Sequence, residues 1–294
     1  MNLAATQTPR RRGISDPTAV GGLVLGGDYQ GLAIARSLAR SGFPVSILDD
    51  ERSIARVSRS VQRYERVADL RDERATVDAV LAAGRRAGLH GWVLFPTRDE
   101  QVAAFARYRD ELTGFFRVPT PEWKVARRVW DKRETYELAK ELSLPIPGTW
   151  FPRSEDEVRE IPTDRPLVIK PAIKEHFFYD TGVKAWRAEN RDELMMRYRE
   201  AAAVVEEGEV IVQEMIPGDG ESQFSYCALF KEGRGIAEMT VRRLRQHPSD
   251  FGRASTFVET VDCPPIVEQS RSFLEAIDYY GLVEMEYKRD PLDH

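Results

Sequence analysis

The stretch Val210-Ile-Val-Gln-Glu-Met-Ile-Pro-Gly218, together with Pro166-Leu-Val-Ile-Lys-Pro171, decides the fold of the second half of this 294-residue chain. Each is a short apolar run that ends in polar residues beside a proline, a pattern that predicts a β-strand with its functional groups at one end. Lys170 ends the shorter run, where a charged amine on a buried stem is costly without an anionic partner. The longer run ends in an extended backbone segment that could hydrogen-bond an adenine ring, formed by Gln213, Glu214, Met215 and Ile216.

Three more polar positions flank these two strands in the sequence. Lys132 lies at the start of a predicted helix, where its amine can join backbone N–H groups in holding a phosphate. Glu221 follows the longer run closely and could accept hydrogen bonds from ribose hydroxyls. Glu286 shares one face of the last predicted strand, residues 282–288, with Glu284, as ligands of a hard cation would. Taken singly, each position is better explained as an ordinary structural or surface residue than as part of a site.

In this order and spacing, the pieces resemble the ATP-grasp superfamily, specifically its carboxylate-amine ligases of the D-aspartate ligase-like group. The resemblance covers nearly the whole chain from Val20. It implies ATP and Mg²⁺ as cofactors, with Lys132 and Lys170 on the nucleotide phosphates. It also implies that Glu221 binds the ribose and that Glu286 is a magnesium ligand. The adenine would lie against a hinge formed by Gln213, Glu214, Met215 and Ile216.

Further basic residues are candidates for the phosphate end of such a site. The loop after the lysine strand holds fewer glycines than many ATP-grasp enzymes carry over the triphosphate, and Lys174, His176 or Lys184 could supply the missing contacts. A surface loop with incidental charge is an equal alternative. Arg243 and Arg245 are expected to share one face of a strand, where either could stabilise a transferring phosphoryl group or bind a substrate carboxylate.

A glycine-rich turn, Gly26-Gly-Asp-Tyr-Gln-Gly31, lies between a predicted strand and a predicted helix, and Asp49 and Asp50 close the next strand. This arrangement is typical of a dinucleotide site and supports an NAD-dependent oxidoreductase as an alternative function. Asp28, however, places a side chain and a negative charge where the backbone must approach a pyrophosphate, so a purely structural turn is favoured. The resemblance implies a Rossmann-like domain that need not bind a dinucleotide, with Gly27, Asp28 and Gln30 as candidate substrate contacts.

Composition excludes several classes of protein. With 43 Lys and Arg against 48 Asp and Glu, the formal net charge is -5, so no bulk positive field attracts nucleic acid or anionic lipid. Cys227 and Cys263 lack the spacing of a zinc ribbon or a disulfide framework. No run approaches the about 18 apolar residues of a membrane span. We therefore expect a soluble cytoplasmic protein with no nucleic-acid or membrane partner; a homo-oligomer stays open.

The expected fold is an α/β N-terminal Rossmann-like (pre-ATP-grasp) domain followed by an α+β ATP-grasp domain of two subdomains. The boundaries are a disordered tail at residues 1–18, the first domain at 19–120 and the second at 121–294, with subdomains of about 121–206 and 207–294. The resemblance implies one more strand, carrying a second magnesium-binding acid. Because the sequence stops at His294, we expect a fragment of a longer ligase.

The function implied by the resemblance is the ATP-dependent joining of a carboxylate to an amine through an acyl phosphate. Both partners would be small molecules, and the sequence identifies neither. Two alternatives remain open at this point. One is the NAD-dependent oxidoreductase, and the other is a catalytically inactive nucleotide-binding relative, suggested by the missing strand.

Overall fold

The structure, a computed structural model, describes residues 20–173, 181–206, 208–247 and 254–291. Its backbone contacts divide the chain into two compact units that meet in sequence between Val118 and Pro119. Lys174 and His176, which the sequence suggested as loop contacts, lie outside the described residues.

The first unit is a parallel sheet with helices. Its elements are β1 (Gly22–Leu25), α1 (Tyr29–Arg40), β2 (Val45–Asp49), β3 (Arg63–Arg66), α2 (Glu73–Ala87), β4 (Val93–Phe95), α3 (Asp99–Arg107) and α4 (Arg109–Thr113), with a 3-10 turn at Ile54–Val57. The strand order is β3-β2-β1-β4, and all pairings are parallel. Strand β1 is buried along its whole length, as the apolar run predicts for a central strand. Helices α3 and α4 are separated at Tyr108.

The second unit holds two antiparallel sheets. Its elements are α5 (Trp123–Trp130), α6 (Lys132–Glu141), β5 (Thr149–Trp150), α7 (Glu155–Glu160), β6 (Leu167–Pro171), β7 (Trp186–Ala188), α8 (Arg191–Ala202), β8 (Val210–Glu214), β9 (Gln223–Lys231), β10 (Arg234–His247), β11 (Ala254–Val261), α9 (Pro264–Ala276) and β12 (Gly281–Lys288), with a 3-10 turn at Gly220–Ser222. The strand orders are β5-β8-β6-β7 and β11-β10-β9-β12.

Each sheet of the second unit has its own core. Helices α7 and α8 contribute Val158 and Leu194 to a cluster with Ile169 and Val212 of the first sheet. Helix α9 contributes Phe273 to a second cluster, on the other sheet. Burying one face of each sheet leaves the opposite face free to carry polar groups, which is the usual arrangement of antiparallel sheets.

Strand β12 shows this alternation most clearly. Val283, Met285 and Tyr287 pack against the second cluster, whereas Glu284 and Glu286 are exposed on the other face. The strand pairs antiparallel with β9, which places Glu286 opposite Ser225. The predicted separation of the two faces is therefore observed.

Candidate functional site

A cavity of about 520 Å³ lies within the second unit and brings residues of both sheets together. The structure describes eleven of the residues that the sequence assigned to the nucleotide, the magnesium ion or the transferring phosphoryl group. Nine of these line the cavity: Lys132, Lys170, Lys184, Gln213, Glu214, Met215, Ile216, Arg243 and Glu286. Its volume lies within the range of about 300–1,000 Å³ that is usual for small-molecule sites. The remaining two residues, Arg245 and Glu221, are absent from its lining.

Lys170 is held at the cavity wall by neutral groups. Its ammonium donates hydrogen bonds to the side-chain oxygen of Gln213 at 2.7 Å and to the hydroxyl of Tyr136 at 2.8 Å. Tyr136 also lies with its ring centroid 5.0 Å from the Lys170 Nζ. Because neither partner is a carboxylate, the positive charge of the lysine is not neutralised by these contacts and can act on an anion in the cavity.

Tyr136 is a residue that the sequence analysis missed. Burial alone raises the pKa of its phenol, but the ammonium of Lys170, the hydrogen bonds to Lys170 and Gln213, and the charge of Lys132 together lower that pKa below its ordinary value. The available signal was the spacing Lys132-x-x-x-Tyr136, which places both side chains on one face of α6.

Lys132 begins helix α6 beside the lysine strand. Its backbone N–H and its ammonium both donate to the carbonyl oxygen of Ala172, at 3.2 and 3.3 Å. Asp131 caps the helix by accepting from the N–H of Arg133 at 2.9 Å, and it also accepts from the Arg133 guanidinium. The predicted placement of Lys132 at a helix start is observed.

The segment after β8, which here means Glu214 at the end of that strand together with Met215 and Ile216, lines the cavity. Two of its backbone amides already donate hydrogen bonds within the protein. The N–H of Glu214 donates to the carbonyl of Gly148 at 2.8 Å, and the N–H of Met215 donates to the carbonyl of Pro166 at 2.9 Å. The Glu214 carboxylate accepts from the N–H of Gly148 at 2.9 Å. A ligand must therefore use other groups of this segment than those two amides.

Arg243 and Glu286 form an ion pair across the second sheet. The guanidinium donates to the carboxylate at 2.6 Å, and the arginine side chain is 13% exposed whereas the glutamate is 66% exposed. Arg243 also donates to the side chains of Gln223 and Gln246, both of which line the cavity. The cavity thus holds an exposed carboxylate directly beside a fixed guanidinium.

The expectation that Arg243 and Arg245 point the same way into the site is wrong. The pairing of β10 with β11 shifts register between Arg243 and Arg245 and again before Gln246. Such an irregularity breaks the two-residue alternation on which the expectation rested. As a result Arg245 is exposed away from the cavity lining, and Gln246 lines the cavity with Arg243.

Glu221 is also displaced from its expected place. It lies in the 3-10 turn, is exposed, and donates its backbone N–H to the Asp219 carboxylate at 2.9 Å. Asp219, one of the two acids that follow β8, lines the cavity in its stead. Asp219 caps the 3-10 turn that contains Glu221, and the sequence analysis did not predict that turn.

Of the three carboxylates that line the cavity, those of Glu214, Asp219 and Glu286, only Glu286 lies on the second sheet. Within the described ranges, no three His, Cys, Asp or Glu side chains are clustered to hold a metal. Mg²⁺ is nevertheless commonly bound by one or two carboxylates, with substrate phosphates and water completing its shell. The exposed carboxylate of Glu286 fits that role only in company with a phosphate ligand.

Cys227 lies on β9 opposite Glu284 of β12. Burial, and then the charges of Glu284 and Glu286, raise the pKa of its thiol to about 11. A thiol with that pKa stays protonated near neutral pH and is a weak nucleophile. The second sheet therefore offers no activated cysteine beside the cavity among its described residues.

The glycine turn of the first unit is closed by its own carboxylates. Asp28 caps α1 and accepts from the N–H groups of Gln30 and Gly31 at 3.1 and 3.4 Å. Asp49 is fully buried and accepts from the N–H of Gly27 at 3.0 Å and from the hydroxyl of Tyr64 at 2.9 Å. Asp49, which would bind a ribose in a dinucleotide site, is thus used within the protein, and Asp28 serves as a helix cap.

Comparison with known proteins gives a consistent result. No family model matches the chain. It is 26% identical over 212 residues to a D-aspartate ligase of Enterococcus faecium (strain Aus0004), a match that covers 69% of this chain and 50% of that protein. The chain therefore spans about half the length of the curated relative that it matches.

Solved structures share its architecture. An L-amino acid ligase from Bacillus licheniformis superposes with a TM-score of 0.65 at 15% identity, covering 93% of this chain and 64% of the other. The biotin carboxylase domain of a 2-oxoglutarate carboxylase from Hydrogenobacter thermophilus, solved with MgADP and bicarbonate, superposes with a TM-score of 0.69 at 14% identity, covering 94% and 62%. These likenesses give no support to the oxidoreductase alternative. The resemblance found in the sequence is confirmed: the chain is similar in sequence to a D-aspartate ligase and shares the fold of these solved structures.

Proposed function

We propose that this protein is an ATP-dependent ligase that joins a carboxylate to an amine through an acyl phosphate. One observation carries the proposal: a single cavity collects the lysine of β6, the segment after β8 and the exposed carboxylate of β12. The D-aspartate ligase relative supports the same activity.

The nucleotide would lie along this cavity with its base beside the segment after β8. Met215 and Ile216 are apolar neighbours for an adenine, whereas Lys132, Lys170 and Lys184 are cations for the phosphates. Because a triphosphate carries several negative charges, a wall lined by lysines supplies the countercharge that binding requires. We assign Asp219 rather than Glu221 to the ribose, since Asp219 lines the cavity.

We propose Glu286 as the magnesium ligand, with nucleotide phosphate oxygens as its companions. A bound Mg²⁺ would supply charge neutralisation at the phosphates during transfer. Arg243 fixes the carboxylate of Glu286 by its hydrogen bond at 2.6 Å and keeps its own guanidinium beside the same place. That guanidinium is therefore positioned to stabilise negative charge on the transferring phosphoryl group.

The proposed reaction has two steps. An oxygen of the substrate carboxylate attacks the γ-phosphorus of ATP, the bond to the β-phosphate oxygen breaks, and ADP leaves. The amine then attacks the acyl carbon, phosphate leaves with the electron pair of the carbon–oxygen bond, and the amine nitrogen releases a proton. Amino acids are the first substrates to test, because the names of two relatives, a D-aspartate ligase and an L-amino acid ligase, concern them.

We further infer the organisation of the chain. The parallel sheet of the first unit, in the order β3-β2-β1-β4, supports a Rossmann-like pre-ATP-grasp domain at about residues 19–120, and residues 121–294 form the ATP-grasp domain. The separate thiols of Cys227 and Cys263 support a reducing compartment, the cytoplasm. The net charge of -5 argues against a nucleic-acid partner. No described helix is both long enough and apolar enough to cross a bilayer.

A thermal shift assay with a non-hydrolysable ATP analogue plus magnesium, run beside NADH, tests the nucleotide half of the proposal. Ligand at a hundred times its dissociation constant adds about 2.7 kcal/mol to the folded state, which raises the melting temperature measurably. We expect a rise with the ATP analogue alone. A rise with NADH alone would overturn the proposal.

The ligase half is tested by ADP release. The chain is mixed with ATP, magnesium and a panel of carboxylates that includes D-aspartate, with and without a panel of amines. We expect ADP formation that depends on a carboxylate and increases with an amine. Nucleotide binding without any such ADP formation would instead favour the catalytically inactive relative.

A further inference from the structure

Lys170 is the end of a directional chain of hydrogen bonds that begins behind the cavity wall. The hydroxyl of Thr149 on β5 donates its single proton to the carbonyl of Pro147 at 2.7 Å. The same hydroxyl oxygen accepts from the side-chain nitrogen of Gln213 at 2.8 Å. The side-chain oxygen of Gln213 then accepts from the ammonium of Lys170 at 2.7 Å.

Donor and acceptor counting fixes the direction of this chain. A lysine ammonium only donates, so it requires the oxygen of the Gln213 amide. Thr149 has spent its proton on Pro147, so it can only accept and requires the nitrogen of that amide. Lys170 thus requires the amide oxygen of Gln213 and Thr149 requires its amide nitrogen, and one orientation of the Gln213 side chain satisfies both. Gln213 is therefore locked in one orientation, and both it and Thr149 are buried, 7% and 8% exposed.

The backbone holds the members of the chain in register. Gln213 of β8 pairs with Thr149 of β5 on one side and with Val168 of β6 on the other. Val168 and Lys170 are two residues apart on one strand, so their side chains share a face. The sheet thus presents Thr149, Gln213 and Lys170 side by side without help from a loop.

Tyr136 completes the arrangement from helix α6. Its hydroxyl accepts a second hydrogen bond from Lys170 at 2.8 Å and lies 3.4 Å from the side-chain oxygen of Gln213. An ammonium has three N–H groups, so one remains for a ligand after these two bonds. Lys170 and Gln213 line the cavity, whereas Tyr136 and Thr149 stand behind it.

We propose that Thr149 and Tyr136 are positioning residues that act through Lys170. They direct its remaining N–H to a nucleotide phosphate without neutralising its positive charge. The inference rests on the proposed function, since it presumes that the anion in the cavity is the phosphate of a nucleotide. It explains why the partners of Lys170 are an amide and a phenol, because a carboxylate in either place would cancel the charge that the phosphate needs.

The test compares Thr149→Val with Thr149→Ser as the matched control. Valine keeps the volume and the strand preference but removes the hydroxyl, whereas serine keeps the hydroxyl. Two probes are titrated into each protein: a non-hydrolysable ATP analogue with magnesium by calorimetry, and adenosine by ligand-observed NMR, which reaches weak binding. Melting temperatures are measured on the same samples.

We expect Thr149→Val to weaken the ATP analogue about five- to tenfold, less than the loss of a whole charge-assisted hydrogen bond, because the contact is misaligned rather than removed. Adenosine affinity should stay unchanged, and Thr149→Ser should bind both probes as the original protein does. Tyr136→Phe should show the same selective loss, and it replaces Thr149→Val if that variant does not fold.

Three results would overturn the inference. An equal loss for adenosine and for the ATP analogue would show a merely structural role for Thr149. Unchanged ATP analogue binding in both Thr149→Val and Tyr136→Phe would show that Lys170 needs no positioning. If the unmodified chain binds no ATP analogue, the proposed function fails first, and the inference fails with it.

Discussion

The guanidinium of Arg243 donates to the carboxylate of Glu286 at 2.6 Å across an intervening strand, since β9 lies between β10 and β12. The arginine is nearly buried and the glutamate is mostly exposed, so the pair has a fixed cationic side and an open anionic side. A cation that approaches from the cavity meets the carboxylate first. This relationship makes Glu286 the residue on which the metal dependence of the site should be tested.

Glu286→Gln is expected to remove the benefit of magnesium. The amide can still accept a hydrogen bond from Arg243, but it carries no charge to attract a divalent cation. The gain in ATP-analogue affinity that magnesium provides should therefore fall about tenfold or more, which corresponds to losing a charged contact of about 1.5 kcal/mol. Calorimetric titrations with and without magnesium measure the gain. Glu284→Gln, an exposed change two residues earlier on the same face and outside the cavity lining, should keep it. Equal behaviour of the two variants would argue against Glu286 as a ligand.

Lys170→Ala is expected to abolish tight nucleotide binding. The change removes a cation whose partners are neutral, so the cavity loses a full positive charge and the two acceptors lose their donor. Such a loss should weaken an ATP analogue by at least about tenfold. The control is Lys231→Ala, which removes an exposed lysine at the end of β9 away from the cavity. An ATP affinity that survives the loss of Lys170 would count heavily against this site.

Asp28→Ala is expected to destabilise the first unit without affecting nucleotide binding. The carboxylate satisfies the N–H groups of Gln30 and Gly31 at the start of α1, and losing such a cap costs about 1 kcal/mol. Urea unfolding followed by circular dichroism measures the change. Asp28→Asn should lie close to the original protein, because asparagine caps helices as well as aspartate does. If Asp28→Ala lowered NADH or ATP affinity at unchanged stability, the turn would be a ligand site after all.

Acid should weaken helix α6 through Asp131. Burial raises the pKa of this carboxyl, but hydrogen bonds from the Arg133 side chain and backbone outweigh it, so the pKa lies below its ordinary value of 3.8. Because the folded pKa is depressed, the stabilisation is present above pH 3.8 and is lost as the pH falls through the lower folded value.

The measurement is urea unfolding of the original protein and of Asp131→Asn between about pH 7 and about pH 3, a range that extends below the ordinary pKa of an aspartate. The difference in unfolding free energy should be constant near neutral pH and should shrink as the solution becomes acid. A difference that grows on acidification would contradict the depressed pKa.

The sequence was sufficient to place a side chain wherever the two-residue alternation of a β-strand alone decides which face it lies on. Lys170 at the end of β6 and Glu286 on the open face of β12 were located in this way, because an apolar run or an alternating run determines which way each side chain points. The same reasoning failed at Arg245, since the register shifts of β10 depend on how it pairs with β11, a strand that the sequence did not reveal.

The sequence pattern could not predict contacts between side chains that belong to different helices and strands. Tyr136 lies on a helix and Thr149 on a two-residue strand, and only folding brings either beside Gln213. Glu221 was assigned to the site for a related reason: the sequence did not reveal the 3-10 turn, capped by Asp219, in which Glu221 lies. Hydrogen-bond chains of this kind have no regular spacing in the sequence, so they cannot be predicted from it.

The alternation of β12 ties the chemistry of the site to the packing of the core. The apolar core fixes one face of the strand, because it packs against Val283, Met285 and Tyr287. Glu286 lies between two of these residues, so its side chain must point to the opposite face. A one-residue slip of the strand would carry the carboxylate into apolar surroundings and Tyr287 into the cavity. Under the proposed ligase function, a core substitution too mild to unfold the sheet can therefore still displace Glu286 and abolish activity. An inactive variant with a normal melting curve then need not be altered in the cavity itself.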